Sequence, residues 1–210
     1  MASESKDTRP PDLLSYERRF WGRGFVAGLD EAGRGPLAGP VVAGAVCLDP
    51  GTCIDGAADS KILDLEDRER LALEIHRGAR AVGLGAASVR EIERLNILRA
   101  TALAMRRALA ALEVHVGHVV VDGLPVRSLG WCHEAVVKGD GRIHSVSCAS
   151  IVAKVCRDRV MRRLAARYPG YGWETNVGYP TAEHREALRR LGPTPHHRRT
   201  FGGVQTELDL

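Results

Sequence analysis

Aromatic residues are scarce in this 210-residue chain, at 5% of the whole, so a core of that length has to be filled by small aliphatic side chains packed closely. Lysine is nearly missing as well: Lys6, Lys61, Lys138 and Lys154 stand against a positive charge otherwise carried by arginine, which makes each retained lysine a place to look. No apolar run approaches the roughly 18 residues of a membrane span. The longest, Val41 to Leu48, is far shorter, and the chain reads as soluble and cytoplasmic with no membrane partner. The cysteines, Cys47, Cys53, Cys132, Cys148 and Cys156, are odd in number and contain no Cys-x-x-Cys pair. A disulfide framework and a zinc ribbon are both excluded.

What is present suits one domain, with 44% apolar residues and 23 glycines for turns and close approaches. The net charge of +4 says little until it is resolved along the chain. Arg157 to Arg199 holds ten arginines against four acids, a local +6 that leaves the remainder at −2. Such a division suits a polyanionic partner gripped by the C-terminal part.

Short Val/Ala/Leu runs predict strands at Phe25–Leu29, Pro40–Leu48, Ala81–Ser88, His118–Val121 and Glu134–Val137. Helices are expected at Glu66–Arg77, at Asn96–Glu113, where apolar residues recur at spacings of three and four, at Ser145–Arg167, and at Thr181–Leu191 with Thr181 as N-cap. Strands first, then strands alternating with helices, give an α/β mixed sheet with helices on its faces. The polar lead-in, residues 1–22, ends in Tyr16, Phe20 and Trp21, aromatics placed to dock it onto the body.

Asp30 and Glu31 follow the first apolar run, Asp122 follows His-Val-Val-Val, and Asp140 follows Val-Val-Lys-Gly. A carboxylate at the end of a buried strand is costly unless it is paired, solvated or bound to a cation. Any one of these acids alone is equally a turn or cap residue. If the strands are neighbours, the four converge, and oxygen-only ligands favour Mg²⁺ or Mn²⁺ over Zn²⁺. Gly33-Arg34-Gly35 lacks the Lys-Ser/Thr ending of a phosphate-binding P-loop and the spacing of a dinucleotide fingerprint. It reads either as a strand-connecting turn or as a place where backbone approaches a ligand closely.

The residues Gly28-Leu-Asp-Glu-Ala-Gly-Arg-Gly-Pro-Leu-Ala-Gly-Pro40, Asp59-Ser-Lys61, Glu91-Ile-Glu-Arg-Leu-Asn-Ile97, Val121-Asp-Gly123, Val137-Lys-Gly-Asp140, Ala149-Ser-Ile-Val-Ala-Lys154, Arg157-Asp-Arg159 and Tyr168-Pro-Gly-Tyr-Gly172 resemble, in this order, bacterial ribonuclease HII, the type 2 ribonuclease H. The resemblance implies a ribonuclease H-like fold: a five-stranded mixed sheet flanked by helices, spanning residues 23–168, with a C-terminal helical substrate-binding region at 169–203 and a tail at 204–210. It implies an endonuclease that hydrolyses the RNA strand of RNA/DNA hybrids and cuts 5′ to ribonucleotides embedded in duplex DNA, by two-metal-ion catalysis, leaving 5′-phosphate and 3′-hydroxyl ends.

By motif, Asp30, Glu31, Asp122 and Asp140 correspond to the catalytic and metal-binding carboxylates, with Mn²⁺ or Mg²⁺ as cofactor. Gly33, Arg34 and Gly35 correspond to the loop that reads the 2′-hydroxyl, and Tyr179 to the tyrosine that stacks beside the RNA-to-DNA junction. Lys61 and Lys138 fall within motifs: Lys61 is expected to steer a substrate phosphate, and Lys138, two residues before Asp140, to contact substrate or to balance the carboxylates. Lys154 reads as helix cover, and Ser147 and Ser150 as packing or capping groups. Ile62, Leu124 and Val177 depart from the family's polar or basic residues, so phosphate contacts near them are not carried over.

His196-His-Arg-Arg199 reads as a solvated basic turn. Gln205-Thr-Glu-Leu208-Asp-Leu210 resembles the Gln-x-x-Leu-x-Leu peptides that dock into sliding clamps, and reads otherwise as an acidic tail. The chain is expected to be a monomer. A catalytically silent nucleic-acid-binding module on the same fold is the alternative.

Overall fold

Runs of Val, Ala and Gly with few polar breaks form five strands: β1 (Phe25–Ala32), β2 (Val41–Cys47), β3 (Ala81–Ala87), β4 (Val116–Asp122) and β5 (Glu134–Val136). The structure, a computed structural model, describes residues 13–57 and 63–208. The strands make one sheet in the order β3-β2-β1-β4-β5. β2 runs antiparallel to β1 and β3, whereas β1, β4 and β5 are mutually parallel. Three strands therefore finish at the same edge, with Asp30 near the end of β1, Asp122 at the end of β4 and Asp140 just beyond β5.

Helices cover both faces: α1 (Leu65–Gly78), α2 (Val89–Leu95), α3 (Ile97–Ala110), α4 (His144–Arg167), α5 (Trp173–Asn176), α6 (Ala182–Leu191) and α7 (Gly202–Leu208). Ala27 and Leu29 of β1 join Ala104, Met105 and Ala108 of α3 in the core on one face. Val46 joins Ala149, Ile151 and Val152 of α4, together with Leu71 and Ile75 of α1, on the other. Glycine permits the close seating of α4: a Cβ on Gly28 would overlap the backbone of Ser145, and one on Gly44 the carbonyl of Ala149. A 24-residue helix is thereby held against the centre of the sheet, beside the edge where the acids lie.

The N-terminus of α4 has no capping side chain of its own. Glu17 supplies one: its Oε1 accepts from both the N–H and the hydroxyl of Ser145, each at 2.8 Å, so a buried carboxylate meets the positive end of the helix. The aromatics beside it tie the segment down. The Phe20 ring stacks on His118 at 3.7 Å, and the Tyr16 hydroxyl donates to Glu134 at 2.8 Å.

Three expectations change. β1 does not stop at Leu29, because Glu31 and Ala32 stay paired with Ala43 and Val42 of β2, so Asp30 and Glu31 lie inside the strand and not after it. The helix expected over Asn96–Glu113 is shorter, running from Ile97 to Ala110, with Asn96 (φ +67°) capping it through its side chain. A separate helix precedes it: Ser88 and Glu91 form a reciprocal capping box that starts α2.

Candidate active site

Asp30 is 7% exposed and points toward α4, where the Ser150 hydroxyl bonds it; its Oδ1 also accepts the Glu31 N–H at 2.7 Å. Burial and then the charge of Glu31 push its carboxyl up to about 8 despite those bonds. Glu31 is raised as well, mainly by burial, while Arg34 at 3.1 Å pulls it back. Asp122 ends β4 within electrostatic reach of both acids, and its Oδ1 accepts the Gly139 N–H at 2.7 Å. That bond fixes the one-turn 3₁₀ segment Gly139–Gly141, which carries buried Asp140 just past β5. Ser147 of α4 donates to the Asp140 carbonyl and holds the turn from the other side.

Parallel strand ends thus bring Asp30, Glu31 and Asp122 together and join Asp140 to them through Gly139. Among the described residues, no three His, Cys, Asp or Glu side chains close into a ready-made metal cage. The donor chemistry nevertheless fits a hard divalent cation: all-oxygen ligands, mutual repulsion and, among the described residues, one ion pair, from half-exposed Arg34 to Glu31 at the rim.

The Gly33–Gly35 loop rises directly from β1. Gly33 has φ +97°, and a Cβ there would overlap the Arg157 side chain, so both backbone and space demand glycine. Gly35 is different: a Cβ would meet only the Tyr179 ring, at 3.8 Å. Arg157 and Arg198, 1% and 0% exposed, lie behind the loop. Arg198 donates to the carbonyls of Gly33, Arg34 and Gly39 at 2.6 to 3.0 Å, and Arg157 to those of Ala38 and Pro40 at 3.1 Å. Burial, and then the charge of Arg157, pushes Arg198 down to about 9, which leaves it charged at neutral pH.

Tyr179 stands beside the loop, 42% exposed, with the Arg157 guanidinium 5.9 Å from its ring centre. Its position is set by a buried polar network. Its carbonyl meets His184 Nδ1 at 2.9 Å; His184 Nε2 accepts from the Trp173 indole at 3.0 Å and lies 3.0 Å from His197 Nε2. His197 Nδ1 accepts from the Thr194 N–H at 2.9 Å. One assignment satisfies every contact, with both imidazoles neutral, His184 protonated on Nδ1 and His197 on Nε2. Burial lowers both, His197 to about 3.

Two cavities open onto this edge and share Glu31 and Arg34. One, of about 440 Å³, is lined by the loop, Arg68, Ser150, Lys154 and Tyr179. The other, of about 490 Å³ and more apolar, runs past Asp122 to Leu98, Met105 and Leu124.

Several site expectations are revised. Ser150 is no mere packing group, since it bonds Asp30, and Lys154 does more than cover a helix: it lines the first cavity while pairing with Asp158 at 2.6 Å. The turn at His196–Arg199 is not simply solvated, because His197 and Arg198 are buried. Nor are all the C-terminal arginines free to grip phosphate. Arg157 and Arg198 are enclosed, Arg159 and Arg162 pair with Glu69, and Arg189 pairs with Glu186. Lys138 is exposed on the turn before Asp140, with φ +58°. Lys61 lies outside the described residues, as do Leu210 and the side chains of residues 206–208, so the clamp-like peptide has no described surface. Val204, just before it, is fully buried against Leu37 and Leu188.

The family model described as Ribonuclease HII matches residues 27–204. A ribonuclease HII from Ruegeria pomeroyi is 58% identical over 198 residues, covering 94% of this chain and 84% of the relative. Among solved structures, a ribonuclease H2 from Pyrococcus horikoshii is similar with a TM-score of 0.75 and 29% identity, covering 88% of this chain and 97% of its own. A ribonuclease HII from Archaeoglobus fulgidus, solved in complex with PCNA, is similar with a TM-score of 0.71 and 26% identity, covering 84% and 95%.

Proposed function

Because the chain belongs to the ribonuclease HII family, hydrolases that cut RNA strands endonucleolytically, we propose that it cleaves 5′ to ribonucleotides embedded in duplex DNA, and the RNA strand of RNA/DNA hybrids, at the edge formed by Asp30, Glu31, Asp122 and Asp140. The observation that carries this reading is the meeting of carboxylates at parallel strand ends, where Arg34 pairs with Glu31 alone among the described residues, directly beneath a glycine loop whose backbone faces the same opening.

Two divalent cations, Mg²⁺ or Mn²⁺, held by these four acids would lower the pKa of the attacking water and stabilise the leaving 3′-oxygen. The chain's own groups set the geometry. Asp30 is aimed by Ser150 and the Glu31 N–H, Asp122 by the Gly139 N–H, and Arg34 at the rim balances part of the charge on Glu31. Discrimination of RNA from DNA rests on the 2′-hydroxyl. Gly35 is suited to meet it, because nothing but open space and the Tyr179 ring lies where a side chain would be. Tyr179 offers an exposed ring for a sugar or base next to that position. Exposed arginines of the C-terminal part, Arg167 and Arg190 among them, supply phosphate contacts without sequence preference. Lys138 and Lys61 remain assigned to substrate on their motifs, and the clamp-like tail to a sliding clamp.

The test is a duplex carrying a single ribonucleotide, incubated with Mg²⁺ or Mn²⁺ and either the wild type or Asp122→Asn. Asparagine keeps the oxygen that accepts from Gly139, so the fold is retained and only the charge is lost. The wild type cuts 5′ to the ribonucleotide, and the variant is at least about 100-fold slower. Equal cutting by both, or binding with no cutting by either, removes the assignment; the latter favours a silent binding module.

A further inference from the structure

The loop above the acids has a polarity that its sequence does not show. Five of its carbonyls, those of Gly33, Arg34, Ala38, Gly39 and Pro40, are turned inward to two buried guanidinium groups. Among the described residues, the N–H groups of Gly33, Arg34 and Gly35 donate to no protein acceptor. Neither Arg157 nor Arg198 has a carboxylate within ion-pair distance among those residues. Two buried charges without an ion-pair contact are expensive, and such a cost is retained where a geometry has to be held.

We propose that Arg157 and Arg198 are positioning residues for substrate discrimination: by gathering the carbonyls of the Gly33–Pro40 segment behind it, they hold the N–H groups of Gly33, Arg34 and Gly35 outward as a preorganised donor face for the oxygen of a ribose 2′-hydroxyl and its neighbouring phosphate. The inference rests on the reading of the loop given above and adds what keeps it in shape. Planar forks suit the task, since Arg198 reaches three carbonyls at once, which the single ammonium of a lysine cannot do with the same directions. Their charge also acts through the peptide dipoles. A cation at the carbonyl end makes the amide end more positive, in a site where water is partly excluded and such terms count for more. Sequence reasoning counts both residues among a phosphate-gripping basic stretch. Burial keeps both guanidinium groups from touching phosphate, so their charge acts through the loop and, for Arg157, through the Tyr179 ring as well.

Arg198→Lys and Arg157→Lys test this, each assayed for kcat/KM on a duplex with one ribonucleotide and for the inhibition constant of an all-DNA duplex competing in the same reaction. The wild type comes first: if all-DNA and ribonucleotide duplexes bind it equally well, the loop reading itself fails, whatever the variants do. Given a discriminating wild type, each folded variant loses at least tenfold in kcat/KM, more for Arg198 than for Arg157, while the all-DNA inhibition constant changes less than twofold. Parallel losses in both quantities, or an unchanged kcat/KM, overturn the proposal. Should neither variant fold, the wild type decides. The Nε–H protons of Arg157 and Arg198 then exchange slowly with solvent and their NMR signals shift on adding the ribonucleotide duplex more than on adding the all-DNA duplex; rapid exchange or identical shifts overturn it.

Discussion

The strand edge and the loop above it are opposite solutions to the same problem of burying charge. At the edge, Asp30, Glu31 and Asp122 face one another with one exposed arginine at the rim, and their unease is visible in Asp30, held up to about 8. Behind the loop, Arg157 and Arg198 are as deeply buried, yet among the described residues every hydrogen bond they make is to a backbone carbonyl. The edge is therefore left wanting a cation from outside, whereas the loop's carbonyls are satisfied from within. One region is built to bind and the other to aim, and substitutions should separate the two.

The largest separation in stability is expected within the loop itself. Gly33→Ala forces a left-handed backbone conformation and a collision with Arg157, and should cost about 3 kcal/mol or more. Gly35→Ala meets open space and should stay within about 0.5 kcal/mol of wild type. Its loss appears instead in preference for the ribonucleotide strand, larger than any loss of duplex binding. Denaturant unfolding of both variants checks the first half, and cleavage with all-DNA competition the second; equal destabilisation would mean that Gly35 is as structural as Gly33.

A smaller effect follows from the imidazoles that seat Tyr179. His184 and His197 have folded values below their ordinary ones, so the unfolded chain binds protons first as pH falls. Their contribution is complete above about pH 6.5 and is lost on acidification, at up to about 1.4 kcal/mol per pH unit and group. The carboxylates held low, Glu69 and Glu91, titrate further down. Asp30, held up to about 8, works in the opposite direction over this range, so the test uses the Asp30→Asn variant, in which unfolding free energy should fall by at least about 1 kcal/mol between pH 7 and pH 5, with the Trp173 environment reporting the change. A flat profile would show that the network tolerates protonation.

Much of this was legible beforehand, and what was not has physical reasons. The Val/Ala runs mark the strands, and the parallel ends of β1, β4 and β5 lie at one edge, where Asp30, Glu31 and Asp122 come within electrostatic reach of one another. Hydropathy ended β1 at Leu29 because Asp30 and Glu31 are polar, although their backbone remains laddered to β2: a strand whose side chains serve a site looks like a loop. The start of α2 was readable in Ser88 and Glu91, a capping pair that composition alone passes over. Ser150 required knowing which side of α4 faces Asp30. Arg157 and Arg198 were hidden among ten arginines, because sequence counts a charge without saying whether water reaches it.

The opposition between edge and loop is tested most directly at Asp30. Asp30→Asn removes a buried charge that has no ion-pair partner among the described residues, so in the absence of divalent cations at pH 8 the variant should be more stable than wild type, by about 1.4 kcal/mol or more, while cleavage of the single-ribonucleotide duplex with Mg²⁺ or Mn²⁺ falls at least about 100-fold. A variant that loses stability together with activity would contradict the account, because Asp30 would then be a carboxylate the fold itself needs.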